Sequence, residues 1–167
     1  GHGVSYCATC DGPFFKGKKA VVVGGGDTAL TDALYLSRIC SEVTIVHRRN
    51  EFRAQKVLQD RVRAKENIKL ELSDNVAEIV GDGNKVTSVK LRSGKELETD
   101  SVFIFVGTLA NSNLFEAICT LENGYIATDE KLETKCKGLF AAGDVRTTEL
   151  RQVVTAAADG ALAAESA

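Results

Sequence analysis

The sequence predicts an α/β fold: a central parallel sheet with helices, an antiparallel β-meander, and a further α/β segment at the C-terminal end. Three observations predict it. Apolar and amphipathic segments alternate between residues 20 and 65, an order typical of parallel strands joined by helices. Residues 68–72 and 86–91 instead alternate apolar and polar side chains, as half-exposed antiparallel strands do. Three consecutive glycines separate the first apolar segment from the first helical one.

Two strand–helix pairs are predicted in the first part of the chain. Residues 20–23 are continuously apolar and residues 43–46 are apolar apart from Thr44, so both segments predict short buried strands. A helix over 27–39 is predicted from the apolar face of Ala29, Leu30, Ala33, Leu34 and Ser37. A second helix over 53–65 is predicted to bury Ala54, Val57, Leu58 and Val62.

The segments that follow are predicted to complete a small domain. Residues 68–72 and 86–91 are expected to be antiparallel strands, with a turn at 93–95 before a short strand around Leu97. Residues 102–106 are again continuously apolar and predict a buried strand that ends at Gly107. We therefore expect residues 1–107 to form one domain.

Residues 108–167 predict a second, incomplete unit. A helical turn is expected within 111–120, short strands at 125–127 and 139–141, and a helix over 150–167. This segment has few large apolar side chains and no evident partner sheet. We therefore expect it to be part of a domain whose remainder lies outside this chain.

Composition excludes several classes of function. The chain has 167 residues, with 21 Lys and Arg against 23 Asp and Glu, and a formal charge of −2. That balance gives no general attraction to nucleic acid or to an acidic membrane surface. No apolar run approaches the roughly 18 residues of a membrane helix, and the first residues lack a signal-peptide pattern. We therefore expect no nucleic-acid or membrane partner and a cytoplasmic location.

The glycine cluster predicts a dinucleotide site. Gly24 permits a tight turn after the strand, Gly26 lets a pyrophosphate approach the backbone, and Ala29 permits close helix–strand packing. Asp27 and Thr28 open the helix, whose N-terminal amides and dipole favour phosphate. The strand, the spacing and the helix together predict a Rossmann-like unit.

The end of the second predicted strand indicates which dinucleotide binds. An NAD site places a carboxylate there, on the ribose hydroxyls. This sequence has His47, Arg48 and Arg49 at that point and Arg53 shortly after. Guanidinium groups can grip a 2′-phosphate that a carboxylate would repel. The sequence therefore predicts NADPH.

A pair of cysteines predicts redox chemistry. Cys7 and Cys10 have the C-x-x-C spacing of thiols that exchange readily, and Asp11 beside them can serve as proton donor and acceptor. The alternative is half of a zinc site, but zinc needs two more ligands. The other cysteines offer no second C-x-x-C pair, so we predict no metal; they are Cys40, Cys119 and Cys136.

Three segments together resemble the low-molecular-weight, bacterial-type thioredoxin reductase family. Residues 3–12, with the sequence GVSYCATCDG, are similar to its active-site segment. Residues 24–29 with the arginine-rich residues 47–53 resemble its NADPH site. Residues 141–145 and 151–153 are similar to its C-terminal FAD-binding segment.

The resemblance implies a reaction cycle: NADPH reduces FAD, the flavin reduces a Cys7–Cys10 disulfide, and the dithiol reduces thioredoxin. Asp11 would be the acid and base, and Cys10 the thiol nearest the flavin. Gly107, at the end of the last buried strand, is assigned to the cofactor site. The residues implied at the flavin are Gly143, Asp144 on the ribityl chain, and Arg151, Gln152 and Val153 near the ring system.

The resemblance also implies that the chain covers part of a longer enzyme. It contains a whole NADPH-binding domain, in residues 1–107, and the C-terminal portion of the FAD-binding domain, in residues 108–167. The family's N-terminal FAD-binding half, with its own glycine motif, is not present in this sequence. Thioredoxin is the implied partner, and a homodimer is implied for the full-length protein.

Two other functions remain open. One is a peroxiredoxin-type flavoprotein disulfide reductase, whose NADH-using members would be expected to carry an acidic residue in place of the arginines. The other is a module that binds NADP, or zinc, without catalysis. A short-chain dehydrogenase is not supported, because none of Tyr6, Tyr35 and Tyr125 is followed four residues later by Lys.

Overall fold

The computed structural model describes residues 2–167. Their contacts divide the chain into two compact units, with the boundary between Gly107 and Thr108. The α/β architecture predicted from the sequence is confirmed.

The first unit contains a five-stranded parallel sheet and a three-stranded antiparallel sheet. The strands are β1 (Val4–Ser5), β2 (Lys19–Val23), β3 (Glu42–His47), β4 (Ile68–Leu72), β5 (Val76–Gly81), β6 (Val86–Leu91), β7 (Glu96–Glu98) and β8 (Ser101–Ile104). The helices are α1 (Ala8–Asp11), α2 (Asp27–Leu36) and α3 (Lys56–Arg63), with a 3₁₀ turn at Gly12–Phe15. The parallel sheet has the order β1-β8-β2-β3-β4, and β5-β6-β7 form the meander.

Side chains on opposite faces of the parallel sheet enter separate cores, because successive residues of a strand point in opposite directions. In β2, Ala20 and Val22 join the core beneath the helices, where Leu30 and Phe103 are fully buried. Val21 joins a second core between the sheet and the meander. The parallel strands are therefore covered on both faces, as their continuous apolar runs require.

The prediction that residues 68–72 form an antiparallel strand was wrong. β4 pairs in parallel with β3, with Ile45 opposite Leu70, and lies at the edge of the five-stranded sheet. One face of an edge strand can remain half-exposed, and the resulting alternation is the same in a parallel and an antiparallel strand. The antiparallel prediction for residues 86–91 is confirmed, with β5 and β7 as neighbours of β6.

Three boundaries differ from the predicted ones. α2 ends at Leu36 and α3 begins at Lys56, so both helices are shorter than predicted. Val57 is 51% exposed, whereas Ala54 is buried before α3 begins. β8 ends at Ile104, and Val106, predicted to be buried, is 69% exposed.

The second unit has little regular structure apart from its final helix. It comprises β9 (Leu121–Glu122), β10 (Tyr125–Ile126), α4 (Val153–Ser166) and 3₁₀ turns at Asn113–Phe115 and Gly143–Val145. Its buried core is small, formed by Cys119, Ile126 and Ala141. The strand predicted over 139–141 is reduced to an isolated bridge between Glu133 and Phe140. No helix within residues 2–167 is long and apolar enough to cross a membrane.

Candidate dithiol and dinucleotide sites

The two cysteines of the C-x-x-C segment lie where β1 leads into α1, and they are joined by a disulfide. Cys7 is the N-cap of α1, and its Sγ accepts a hydrogen bond from the amide of Cys10 at 3.2 Å. The hydroxyl of Thr9 lies 3.4 Å from the same sulfur. Cys10 is exposed and Cys7 half-buried, so the pair is accessible from solvent.

Asp11 is held by a serine that the sequence analysis did not single out. The Ser5 hydroxyl donates to Oδ2 of Asp11 at 2.7 Å and accepts from the amide of Cys7 at 3.1 Å. Ser5 is 4% exposed. The only sequence signal was its position in β1 two residues before Cys7. The side-chain contact depends on how α1 turns back beside that strand.

A second carboxylic acid lies against the same segment. Asp32, on α2, is half-buried, and its side chain accepts a hydrogen bond from the backbone of Ala8. Burial raises the pKa of Asp32, and the hydrogen bond from Ala8 partly opposes that rise. Folding thus places Asp32 beside the segment that carries Cys7 and Cys10, which is distant from it in the sequence.

The glycine cluster has the geometry that the motif predicts. Gly24 has φ +149, and a Cβ there would lie 2.5 Å from the carbonyl oxygen of Phe105 and 2.9 Å from Cβ of Ala29. Its amide donates to Val46 at 3.0 Å. Only glycine permits this close approach of the chain after β2 to Phe105 and to α2.

The middle glycine, Gly25, is required for a different reason. A Cβ at Gly25 would lie 2.5 Å from Nδ1 of His47. His47 is 7% exposed, stacks on Phe52 with centroids 5.6 Å apart, and donates from Nε2 to the Glu51 carbonyl at 3.2 Å. His47 therefore lies beneath the loop and supports it. Its direct contact with a nucleotide stays a prediction.

The environment of His47 disfavours its charged form. Burial lowers its pKa most, and repulsion from Arg49, Arg48 and Arg53 adds to that effect. The hydrogen bond with Glu51 acts in the opposite direction. The imidazole therefore supports the loop in its neutral form.

Gly24, Gly25 and three arginines line one cleft of about 200 Å³, whereas Gly26 is not part of its lining. Its lining residues are Val23, Gly24, Gly25, Val46, His47, Arg48, Arg49, Arg53, Asn75, Phe105 and Val106. Arg48, Arg49 and Arg53 are exposed, so their guanidinium groups are available to an anion. Asn75 and Phe105 were not predicted, because they reach the cleft from segments without a nucleotide motif. Gly107 follows Val106 and is not part of this lining.

The start of α2 has room for a phosphate. Gly26 is the N-cap of α2, and the nearest atom to a Cβ placed there would be a guanidinium nitrogen of Arg53, 4.0 Å away. Thr28 is exposed beside it. Asp27 instead accepts from the Gln55 amide at 2.7 Å, which holds the start of α3 against α2. A pyrophosphate facing Gly26 and Arg53 fits these residues.

In the second unit, a half-buried ion pair organises the turn that carries Gly143 and Asp144. Asp159, on α4, accepts from the Gly143 amide at 3.1 Å and from Arg146 at 3.2 Å. Arg146 also donates to Thr128 at 3.1 Å. This network leaves the Asp144 side chain exposed. Asp159 and Arg146 were not predicted, since nothing in their local sequence indicates that they pair.

One side-chain N–H donor of Arg151 is unused within residues 2–167. Its guanidinium lies over the Tyr125 ring, 4.1 Å from the centroid, and its buried Nε has no hydrogen-bond partner among residues 2–167. Gln152 and Val153 are exposed at the start of α4. An exposed carboxylate at Asp144 and an unused N–H at Arg151 fit a polar cofactor that these residues would hold.

The remaining cysteines differ in access. Cys40 is buried, and burial raises the pKa of its thiol to about 11. Cys119 is also buried, whereas Cys136 is exposed. Within residues 2–167, no three His, Cys, Asp or Glu side chains cluster as metal ligands would.

Comparison with known proteins places this geometry in a family. The sequence profile described as "Pyridine nucleotide-disulphide oxidoreductase" matches residues 1–160. The chain is 52% identical to a thioredoxin reductase of Listeria innocua, over all of this chain and 54% of that protein. It is 51% identical to a thioredoxin reductase of Bacillus subtilis, over 99% of this chain and 54% of that protein.

A solved structure gives the same result. The thioredoxin reductase of Streptococcus pyogenes is 42% identical, with a TM-score of 0.89 over 98% of this chain and 56% of that one. The chain thus spans about half the length of the relatives it matches. Since the family profile covers nearly the whole chain, the chain belongs to the pyridine nucleotide-disulphide oxidoreductase family.

Proposed function

We propose that this chain carries the NADPH site and the redox-active dithiol of a thioredoxin reductase. The observation that carries the proposal is the presence, in one folded unit, of a C-x-x-C disulfide beside a carboxylate and of an arginine-lined cleft next to a glycine loop. The names of the chain's relatives support the same activity. Thioredoxin is the proposed protein partner.

Each part of the nucleotide site has a proposed role. The amides at the start of α2, with Gly26 as its N-cap, would bind the pyrophosphate. Arg48, Arg49 and Arg53 would bind the 2′-phosphate, since guanidinium groups pair well with phosphate oxygens. Neutral His47 would hold the glycine loop and the arginine-rich segment in position for these two contacts.

FAD is the second proposed cofactor, and when bound it would relay two electrons between the nicotinamide and the disulfide. Asp144 would accept hydrogen bonds from the ribityl hydroxyls. Arg151 would donate its unused Nε–H. Asp159 and Arg146 would hold the Gly143–Val145 turn that presents Asp144.

The dithiol would act by thiol–disulfide exchange. One thiolate of the reduced Cys7–Cys10 pair attacks a sulfur of the thioredoxin disulfide, whose other sulfur leaves as a thiolate. The second cysteine then attacks the mixed disulfide, so thioredoxin gains two electrons and two protons and Cys7–Cys10 is oxidised. Asp11 would accept and return the thiol protons.

A single-turnover exchange tests this function without any cofactor. The chain is reduced, separated from reductant and mixed with oxidised thioredoxin, and the thiols of each protein are counted by alkylation and mass spectrometry. We expect reduced thioredoxin to form as the Cys7–Cys10 disulfide closes. Cys10→Ser should stop net reduction, and Cys136→Ser, which changes an exposed cysteine in the other unit, should not. Thioredoxin that stays oxidised with the wild-type chain would contradict the proposal.

Cofactor choice is tested by removing the arginines. Replacing Arg48 and Arg49 by Ala should weaken NADPH binding by about 3 kcal/mol, as expected for lost charge-assisted hydrogen bonds, with little effect on NADH. Isothermal titration calorimetry with both nucleotides measures the difference. The control, Arg38→Ala with Arg61→Ala, changes net charge equally at two exposed arginines outside the cleft. Equal losses for NADPH and NADH would rule out 2′-phosphate recognition by this pair.

A further inference from the structure

We propose that Ser5 is a positioning residue for the acid–base function of Asp11, and that it serves both protonation states of that carboxyl group. The inference rests on the proposed dithiol function. It starts from the hydrogen bonds of a buried hydroxyl that no part of the proposed reaction uses. Ser5 is 4% exposed, so protein groups must satisfy its hydroxyl.

The Ser5 hydroxyl has one proton and two acceptors within reach. It lies 2.7 Å from Oδ2 of Asp11 and 3.3 Å from the carbonyl oxygen of Cys7. Its oxygen also accepts from the amide of Cys7 at 3.1 Å, which anchors it to the backbone of the dithiol segment. A hydroxyl can rotate its proton between two acceptors without moving its oxygen.

These contacts let Ser5 stabilise either form of Asp11. When Asp11 is a carboxylate, Ser5 can donate to it across the 2.7 Å between the two oxygens. When Asp11 is a carboxylic acid, its own O–H can donate to Ser5, whose proton then turns to the Cys7 carbonyl. Asp11 can therefore change protonation state without leaving its place beside Cys10.

When the disulfide opens, the leaving sulfur needs a proton, and Asp11 can supply it by changing its protonation state. An external thiolate attacks one sulfur of the Cys7–Cys10 pair, and the S–S bond breaks. The other sulfur leaves with the electron pair, and the O–H of Asp11 turns from Ser5 to this sulfur and gives it the proton. Asp11 becomes a carboxylate, and the Ser5 hydroxyl turns from Cys7 to stabilise it. In the reverse direction Asp11 recovers the proton as the disulfide closes.

A double-mutant cycle tests the inference. The rate at which dithiothreitol reduces the Cys7–Cys10 disulfide is measured by quenched alkylation for wild type, Ser5→Ala, Asp11→Asn and the double variant. We expect Ser5→Ala to slow reduction about tenfold, the effect of losing one hydrogen bond to a charged group. It should have no further effect in Asp11→Asn. A tenfold loss in both backgrounds, or no loss in either, would overturn the proposal.

Two further variants separate positioning from a loss of folding. Ser5→Thr keeps the hydroxyl and should retain most of the rate. Ser37→Ala removes another buried hydroxyl, which donates to the Leu34 carbonyl at 2.8 Å on α2, and should leave the rate unchanged. A slowing by Ser37→Ala equal to that by Ser5→Ala would assign the effect to folding.

The pH profile of the rate gives an independent readout. Ser5→Ala should change its shape, whereas a purely structural effect would lower the rate evenly at every pH. Asp32 is the other carboxyl group that contacts this segment. Its contribution to the pH profile is removed by repeating the measurements in the Asp32→Asn background. The reaction needs no nucleotide, flavin or thioredoxin. A wild-type chain that fails to reduce thioredoxin would therefore contradict the proposed function and not the role of Ser5.

Discussion

His47 shows how one buried side chain constrains residues far from it in the sequence. Its ring occupies the space that a side chain at position 25 would need, and it stacks on Phe52. The G-x-G-x-x-A pattern leaves the middle position open to any residue. In this protein the contact with His47 leaves that position room for glycine only.

Gly25→Ala should therefore destabilise the fold by about 2 kcal/mol, the usual cost of forcing extra volume into a packed region. Denaturant unfolding followed by circular dichroism measures this. Gly160→Ala is the matched control, since nothing lies within 4 Å of a Cβ there; as a substitution inside α4 it should be neutral or stabilising. Equal stability of Gly25→Ala and wild type would show that His47 can move aside freely.

The lowered pKa of His47 predicts a pH dependence of stability. Folded His47 binds a proton less readily than unfolded His47, so acid favours the unfolded chain. Its stabilising contribution should be complete above its ordinary pKa of 6.5 and be lost as the pH falls below that value.

Unfolding free energies measured between about pH 5 and pH 8, the range in which histidine titrates, test this. His47→Gln should have a shallower dependence on pH than wild type. Identical slopes for wild type and His47→Gln would exclude His47 as the titrating group.

At the level of elements, periodicity predicted which segments are helices and strands better than where they end. The predicted helix over 53–65 exists only as Lys56–Arg63, because residues before it bond the glycine loop instead. The amides of Arg53 and Ala54 both donate to the carbonyl of Gly25, at 2.8 and 3.2 Å. A local pattern cannot show that these donors are already used by a distant segment.

The two valines of α3 test the corrected orientation of that helix. Val62 is fully buried and Val57 is 51% exposed. Val62→Ala should lower the unfolding free energy by about 2 kcal/mol, from lost burial and the cavity left behind, and Val57→Ala by less than about 0.5 kcal/mol. Chemical denaturation compares them directly. Similar losses at both positions would favour the orientation expected from the sequence.

For the whole molecule, the two units have separate cores. The cores on both faces of the parallel sheet lie entirely before residue 108, and the small core around Ile126 lies entirely after it. The cleft with the arginines and the glycine loop also belongs to the first unit alone. The assignment of NADPH to this unit and of FAD to residues 108–167 stays a prediction.

Residues 1–107 expressed alone should therefore fold and bind NADPH as tightly as the whole chain, within about 0.5 kcal/mol, the scatter expected for distant sites. Calorimetric titration of both proteins with NADPH measures this. The same Arg48 and Arg49 substitutions should weaken binding in each. A folded first unit with markedly lower affinity would mean that the second unit contributes contacts to the nucleotide.

The sequence by itself determined the α/β class, the family resemblance, the C-x-x-C pair and the segments that build the nucleotide cleft. These features depend on local periodicity and on residues close together in the chain. The tertiary structure decided the pairing of β4, the burial of His47 under Gly25, the contact of Ser5 with Asp11, and the Asp159–Arg146 pair. Each of these contacts joins side chains or strands that only folding brings together. The local sequence does not show which distant groups will be in contact.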